Sequence, residues 1–99
     1  MIILITGFAP FGGETINPSY EAVRLLPDEI AGHTIKKQEL PVTFQGAPVL
    51  LAEKVRAIRP DVLISVGQAG GRPDIRPERV ALNLLDARIP DNGGFSPAD

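Results

Sequence analysis

Two short apolar runs stand out from an otherwise mixed chain: Met1-Ile2-Ile3-Leu4-Ile5 at the start, and Val62-Leu63-Ile64-Ser65-Val66 past the middle. Neither alternates with polar residues, so both predict strands buried on two faces, as in a parallel sheet. The first strand, residues 1–6, runs into a Gly- and Pro-rich loop over 7–18. A helix over about 18–26 follows, with Asn17 as its N-cap, Pro18 in the first helical position and Pro27 ending the pattern. Ala22, Val23, Leu25 and Leu26 give this helix an apolar face. After a turn at Ala31-Gly32, residues 33–42 alternate only loosely, and Pro41 puts the end of that segment at a sheet edge. Leu51, Val55 and Ile58 recur at helical spacing and predict an amphipathic helix over 46–58, broken by Arg59-Pro60-Asp61.

The order strand, helix, strand, helix, strand predicts right-handed crossovers and an α/β fold, with a mostly parallel central sheet covered on both faces. Residues 80–85 are a further strand candidate. The tail over 87–99 predicts no closing helix or strand, and a sheet this small without a final covering helix leaves one face bare. The chain therefore reads as a single, incomplete α/β domain over residues 1–99, cut short.

Composition narrows the function. With 43% hydrophobic residues and a formal charge of −2, the chain is globular, and its ten basic residues are scattered among twelve acidic ones without a basic stripe. No nucleic-acid partner is expected. No apolar run is long enough to cross a bilayer, and the first five residues lack the basic flank of a signal peptide, so no membrane partner and a cytoplasmic location are expected. The chain has no cysteine and one histidine, which excludes disulfides and thiolate metal sites.

The chemistry gathers at the ends of the two apolar strands. The loop Thr6-Gly7-Phe8-Ala9-Pro10-Phe11-Gly12-Gly13 has neither the phosphate-loop nor the dinucleotide glycine spacing. Its two aromatics, three residues apart, either pack the loop on the core or wall a pocket for a small flat ligand. Gly67-Gln68-Ala69-Gly70-Gly71 ends the second strand and is expected on the same sheet edge, where open α/β sheets bind ligands and glycines let a ligand approach the backbone. Glu78 is placed either to orient a histidine or to pair with Arg79, and His33 reads as a surface residue. No nucleophile elbow, metal-ligand spacing or glycosidase carboxylate pair is present.

Taken together and in order, four stretches resemble pyroglutamyl peptidase I, the pyrrolidone-carboxylate peptidase family. They are Thr6-Gly7-Phe8 through Gly13 with Asn17-Pro18-Ser19, Val66 through Arg72, Pro77-Glu78-Arg79-Val80-Ala81-Leu82-Asn83, and Asp86-Ala87-Arg88-Ile89-Pro90-Asp91-Asn92. The resemblance covers the whole chain. It implies a three-layer α/β/α sandwich, and an intracellular cysteine peptidase that removes an amino-terminal pyroglutamate from peptides. It also implies a Cys–His–Glu triad, no metal, no cofactor, and a homo-oligomer, commonly a tetramer. On matching positions the triad acid falls on Glu78, where it would hold the imidazole in its working tautomer. Phe8 and Phe11 would sandwich the lactam ring; Asn17, Gln68 and Ile89 would line or support that pocket, and Thr43 would border it. Arg88 matches an arginine near the carbonyl under attack.

The sequence departs from the family in one large respect: it has neither the nucleophilic cysteine nor the catalytic histidine, which in the family lie in the second half of a chain about twice as long. His33 does not match the catalytic motif. One reading is therefore the amino-terminal half of a pyroglutamyl peptidase, partnered by the missing carboxyl-terminal half. The other is a naturally short, non-catalytic lactam-binding module whose bare sheet face is covered by self-association.

Overall fold

Leu4 and Ile5 are neighbours on one strand and point to opposite faces, yet both are buried, because their strand lies inside a four-stranded sheet. The computed structural model describes residues 1–71, 73–81, 85, 87 and 89–98. Its elements run β1 (Ile2–Phe8), α1 (Pro18–Arg24), β2 (Glu29–Ile30), β3 (His33–Leu40), α2 (Gly46–Ile58) and β4 (Val62–Ser65). The sheet order is β2-β3-β1-β4. β1 pairs in parallel with β3, from Ile2 opposite Thr34 to Phe8 opposite Leu40, and with β4, from Ile3 opposite Val62 to Thr6 opposite Ser65.

The chain leaves β1 for β3 on one side through α1, then returns across β1 to β4 through α2. Right-handed crossovers in opposite directions put the two helices on opposite faces of the sheet. The side chains agree. Ile5, Val23 and Ile35 form the core on the α1 face, with Ile3, Tyr20, Leu26 and Val66 packed against them. Leu4, Thr6 and Phe8 point the other way, and Phe8 shares a cavity wall with Ala47 and Pro48 at the start of α2.

The α1 face needs Gly7. A Cβ on that residue would lie 2.6 Å from the Tyr20 Cα and 2.7 Å from its amide nitrogen, so only glycine lets the helix sit this close to the strand. α1 is two residues shorter than its sequence pattern suggests. The Lys37 ammonium on β3 donates to the carbonyls of Arg24 and Leu26, capping the last turn before Pro27. Its buried face is correspondingly narrow: Val23 is 1% exposed, whereas Ala22 and Leu25 face solvent.

β2 is too short to register as a sequence pattern. It turns back onto β3 through Ala31 and Gly32, both at positive φ (52° and 82°), the backbone of a two-residue hairpin, and it makes the otherwise parallel sheet mixed. Pro41 follows β3 directly, and beyond Ile35 no described strand pairs with the outer edge of β3, so the missing N–H costs no ladder bond. α2 carries the expected stripe, with Leu51 and Ile58 half-buried and Val55 36% exposed. All four residues of β4 are exposed, against the burial their apolar run predicts, because β4 is an edge strand of the described sheet; Val66 lies just past its end, joined to Thr6 by an N–H···O bond of 2.9 Å. Of the strand expected over 80–85, residues 82–84 lie outside the described residues, while Val80, Ala81 and Leu85 are exposed and not in a strand. Among the described residues no helix is long and apolar enough to cross a membrane.

Candidate active site

The carboxyl ends of β1, β3 and β4 open onto one edge, and the loops that follow them meet there. Asn17 organises the first loop. It is 3% exposed, and its Oδ1 accepts from the Ser19 N–H at 2.9 Å and from the Ser19 hydroxyl at 2.8 Å, which caps α1. Its Nδ2 donates to the Ala9 carbonyl at 3.1 Å, and the Phe8 N–H donates to Ser19 Oγ at 2.9 Å. The Ala9 N–H in turn donates to the Leu40 carbonyl at the end of β3. These bonds fix the backbone on both sides of Phe8, so its ring is held by the strand and the helix cap together.

Phe8, Phe11, Asn17, Val42, Gly67 and Gln68 line a cavity of about 210 Å³ that is open to solvent. That lies below the roughly 300–1,000 Å³ usual for drug-sized ligands and suits a single small ring. Gly67 brings the β4 loop close to the aromatic wall; a Cβ there would touch the Phe8 ring at 4.0 Å. Gln68 is exposed at the rim, and among the described residues its amide makes no hydrogen bond, which leaves a donor and an acceptor for a ligand.

Not every sequence candidate lines this cavity. Thr43 sits beside it, in the walls of two neighbouring cavities of about 270 and 510 Å³. Its Oγ1 accepts the Gly46 N–H at 2.8 Å, so it starts α2. Ile89, 53% exposed, comes within reach of the loop at Gly12, where its Cδ1 lies 4.0 Å from a Cβ position. Glu78 is on an exposed, irregular segment; among the described residues it makes no ion pair, so the pairing with Arg79 open to it in sequence is not formed. Arg88 lies outside the described residues. His33 opens β3 at the amino-terminal end of the sheet, with Nδ1 3.0 Å from the Met1 amino group, on the order of 20 Å of strand away from the ring cavity.

Asp91 and its neighbours form a further part of the site, to which sequence reasoning assigned no role. The Asp91 carboxylate accepts the Phe44 N–H at 2.8 Å through Oδ2, and those of Gly93 and Phe95 at 2.8 and 2.9 Å through Oδ1. These bonds, Phe44 foremost, hold its carboxyl below the usual aspartate range. The Phe44 and Phe95 rings meet edge to face at 5.9 Å. Asp91-Asn92-Gly93-Gly94 is a turn signal in sequence, but only the fold shows which loop the turn grips.

Fold and site together define an α/β protein with a ring-sized pocket on the carboxyl edge of parallel strands, and with no thiol of its own. The family model for pyroglutamyl peptidase matches residues 1–99. The chain belongs to the pyroglutamyl peptidase family. It is 59% identical over 99 residues to a pyrrolidone-carboxylate peptidase of Thermococcus onnurineus, and 54% identical to one of Clostridium perfringens. All of this chain is covered in each match, against 50% and 46% of the relatives, so the chain spans about half their length. Among solved structures, a mutant pyrrolidone carboxyl peptidase of Pyrococcus furiosus matches all of this chain and 48% of its own, at 44% identity and a TM-score of 0.95. The pyroglutamyl peptidase I of Bacillus amyloliquefaciens matches 97% of this chain and 46% of its own, at 50% identity and a TM-score of 0.92.

Proposed function

We propose that this chain supplies the substrate-ring pocket and the triad acid of a pyroglutamyl peptidase, an incomplete domain whose nucleophilic cysteine and catalytic histidine come from polypeptide outside these 99 residues. The observation that carries the reading is the 210 Å³ cavity lined by Phe8 and Phe11, with the Gln68 amide at its rim and Asn17 holding its wall. A pyrrolidone ring is flat, with two apolar methylenes and one lactam N–H and C=O. Two aromatic rings and the free donor and acceptor of the Gln68 amide are chemically matched to it.

In the complete enzyme the thiolate attacks the pyroglutamyl carbonyl carbon. The C–N bond to the following residue breaks, the amine leaves with a proton from the imidazolium, and water then hydrolyses the thioester. Glu78 orients the imidazole, a role carried by the likeness of Pro77-Glu78-Arg79 to the family's motif. Arg88 stabilises the oxyanion, Ile89 backs the Gly12 loop, and Thr43 borders the pocket by fixing the start of α2. Peptides with amino-terminal pyroglutamate are the substrates, no metal or cofactor takes part, and the enzyme works in the cytoplasm as a homo-oligomer.

The test is Phe8→Ala in the protein made from the natural gene, assayed on pyroglutamyl and prolyl arylamides, which differ by the ring carbonyl. We expect wild-type protein to cleave the pyroglutamyl compound and leave the prolyl one. Losing an aromatic wall lowers kcat/KM for the lactam about 10- to 100-fold, from the burial lost. Unchanged ring preference in the variant overturns the pocket assignment. The absence of cysteine favours one second reading, a lactam-binding module without turnover. A gene product of 10.6 kDa that binds pyroglutamate and cleaves nothing would establish it.

A further inference from the structure

Asn92 bonds at once to two separate segments that carry lining residues of the ring cavity. Its side-chain Nδ2 donates to the Pro10 carbonyl at 2.9 Å, and its backbone N–H donates to the Val42 carbonyl at 2.8 Å. Pro10 lies between Phe8 and Phe11, and Val42 lines the cavity beside them. The chain reaches these partners from 82 residues away in the first case, so the contact is a tertiary clamp and no part of either loop's own fold. Asp91 keeps the clamp in place, since its three accepted N–H bonds tie the turn both to itself and to Phe44. Proline has no N–H, so the carbonyl is the one backbone group through which Pro10 can be tied.

We infer that Asn92 is a positioning residue for the ring pocket: it fixes the Pro10 segment against Val42 and so sets the spacing of the Phe8 and Phe11 rings, a role that rests on the ring-pocket reading above. Asn92 is exposed and touches neither the cavity nor any reacting group named here, so its effect passes through the loop.

Two variants of the protein made from the natural gene test this. Asn92→Ala removes the donor and keeps the backbone bond to Val42. Asn92→Asp keeps the shape but places a carboxylate, which cannot donate at neutral pH, against the Pro10 carbonyl. The first readout is independent of activity: NMR order parameters of the Phe11 and Gly12 amides should fall from about 0.85 toward 0.6 in both variants while those of β1 stay rigid. The second is kinetic. KM for a pyroglutamyl arylamide should rise about fivefold, the effect of one lost hydrogen bond, with kcat unchanged, because the ring is held alike in ground and transition states.

Unchanged order parameters overturn the inference. So does an Asp variant that behaves as wild type, since a packing role would tolerate an isosteric side chain. So does an unaltered KM in an active enzyme. A wild-type protein that cleaves no pyroglutamyl substrate contradicts the proposed function instead, and the loop measurement still decides what Asn92 does.

Discussion

The Tyr20 backbone lies against Gly7 so closely that a Cβ on the glycine would fall 2.6 Å from the Tyr20 Cα. The atoms in the way are backbone, and a backbone cannot swing aside as a long side chain can. Gly7→Ala must therefore push α1 off the sheet or twist β1, just where β1 delivers Phe8 to the cavity. The expected cost is about 1–3 kcal/mol of stability, the usual range for overpacking. Denaturant titration of the variant checks it, and a midpoint equal to wild type would show that the helix does not sit where it is placed here.

Thr6, one residue earlier, predicts the opposite sign. Its side chain is wholly buried, and its Oγ1 has no hydrogen-bond partner among the described residues. A buried hydroxyl without a partner forfeits its bonds to water, at a cost of about 1–3 kcal/mol. Thr6→Val keeps the β-branched shape that suits a strand and removes that cost, so unfolding should shift to higher denaturant by about 1 kcal/mol. A marked loss of stability would mean that the hydroxyl has a partner contributed by polypeptide outside these residues.

Asp91 should give the protein an acid-sensitive loop. Its folded-state pKa is lowered, chiefly by the Phe44 N–H and then by that of Phe95. A depressed carboxylate stabilises the fold fully above its unfolded value, about 3.9, and that contribution is lost as pH falls through the lower folded value. The edge-to-face contact of Phe44 and Phe95 should thus hold through the ordinary aspartate range and loosen only at pH below it, visible as a shift of their ring resonances. Asp91→Asn should abolish that titration. A wild-type loop that stays ordered below the ordinary aspartate range as well would show that the three accepted bonds are not what holds it.

Much of this architecture is legible in the sequence, and the limits have physical causes. The two apolar runs become β1 and β4, and Asn17-Pro18 and Pro27 bracket α1, because periodicity and capping are local signals. β2 escapes notice because two residues carry no pattern, although its Ala31-Gly32 turn is readable. The aromatic loop and the Gln68 loop are each ambiguous alone; they become a site only when parallel pairing of β1 and β4 brings their ends together. The grip of Asp91 on Phe44 and of Asn92 on Pro10 spans 47 and 82 residues, distances over which no local signal operates. Glu78 is named by resemblance alone, since nothing in its own neighbourhood distinguishes a triad acid from a solvated carboxylate.

The chain has four phenylalanines: Phe8 and Phe11 line the ring cavity, while Phe44 and Phe95 pack on each other outside it, Phe44 sharing the neighbouring 270 Å³ cavity with Phe8 and Phe95 lining the 510 Å³ one. Intermolecular NOEs between L-pyroglutamate and assigned phenylalanine rings, measured on the protein made from the natural gene, therefore test the pocket directly. NOEs are expected from the ring methylenes of the ligand to both Phe8 and Phe11 and none to Phe44 or Phe95. Binding read instead at Phe44 or Phe95, or no saturable binding, would contradict it.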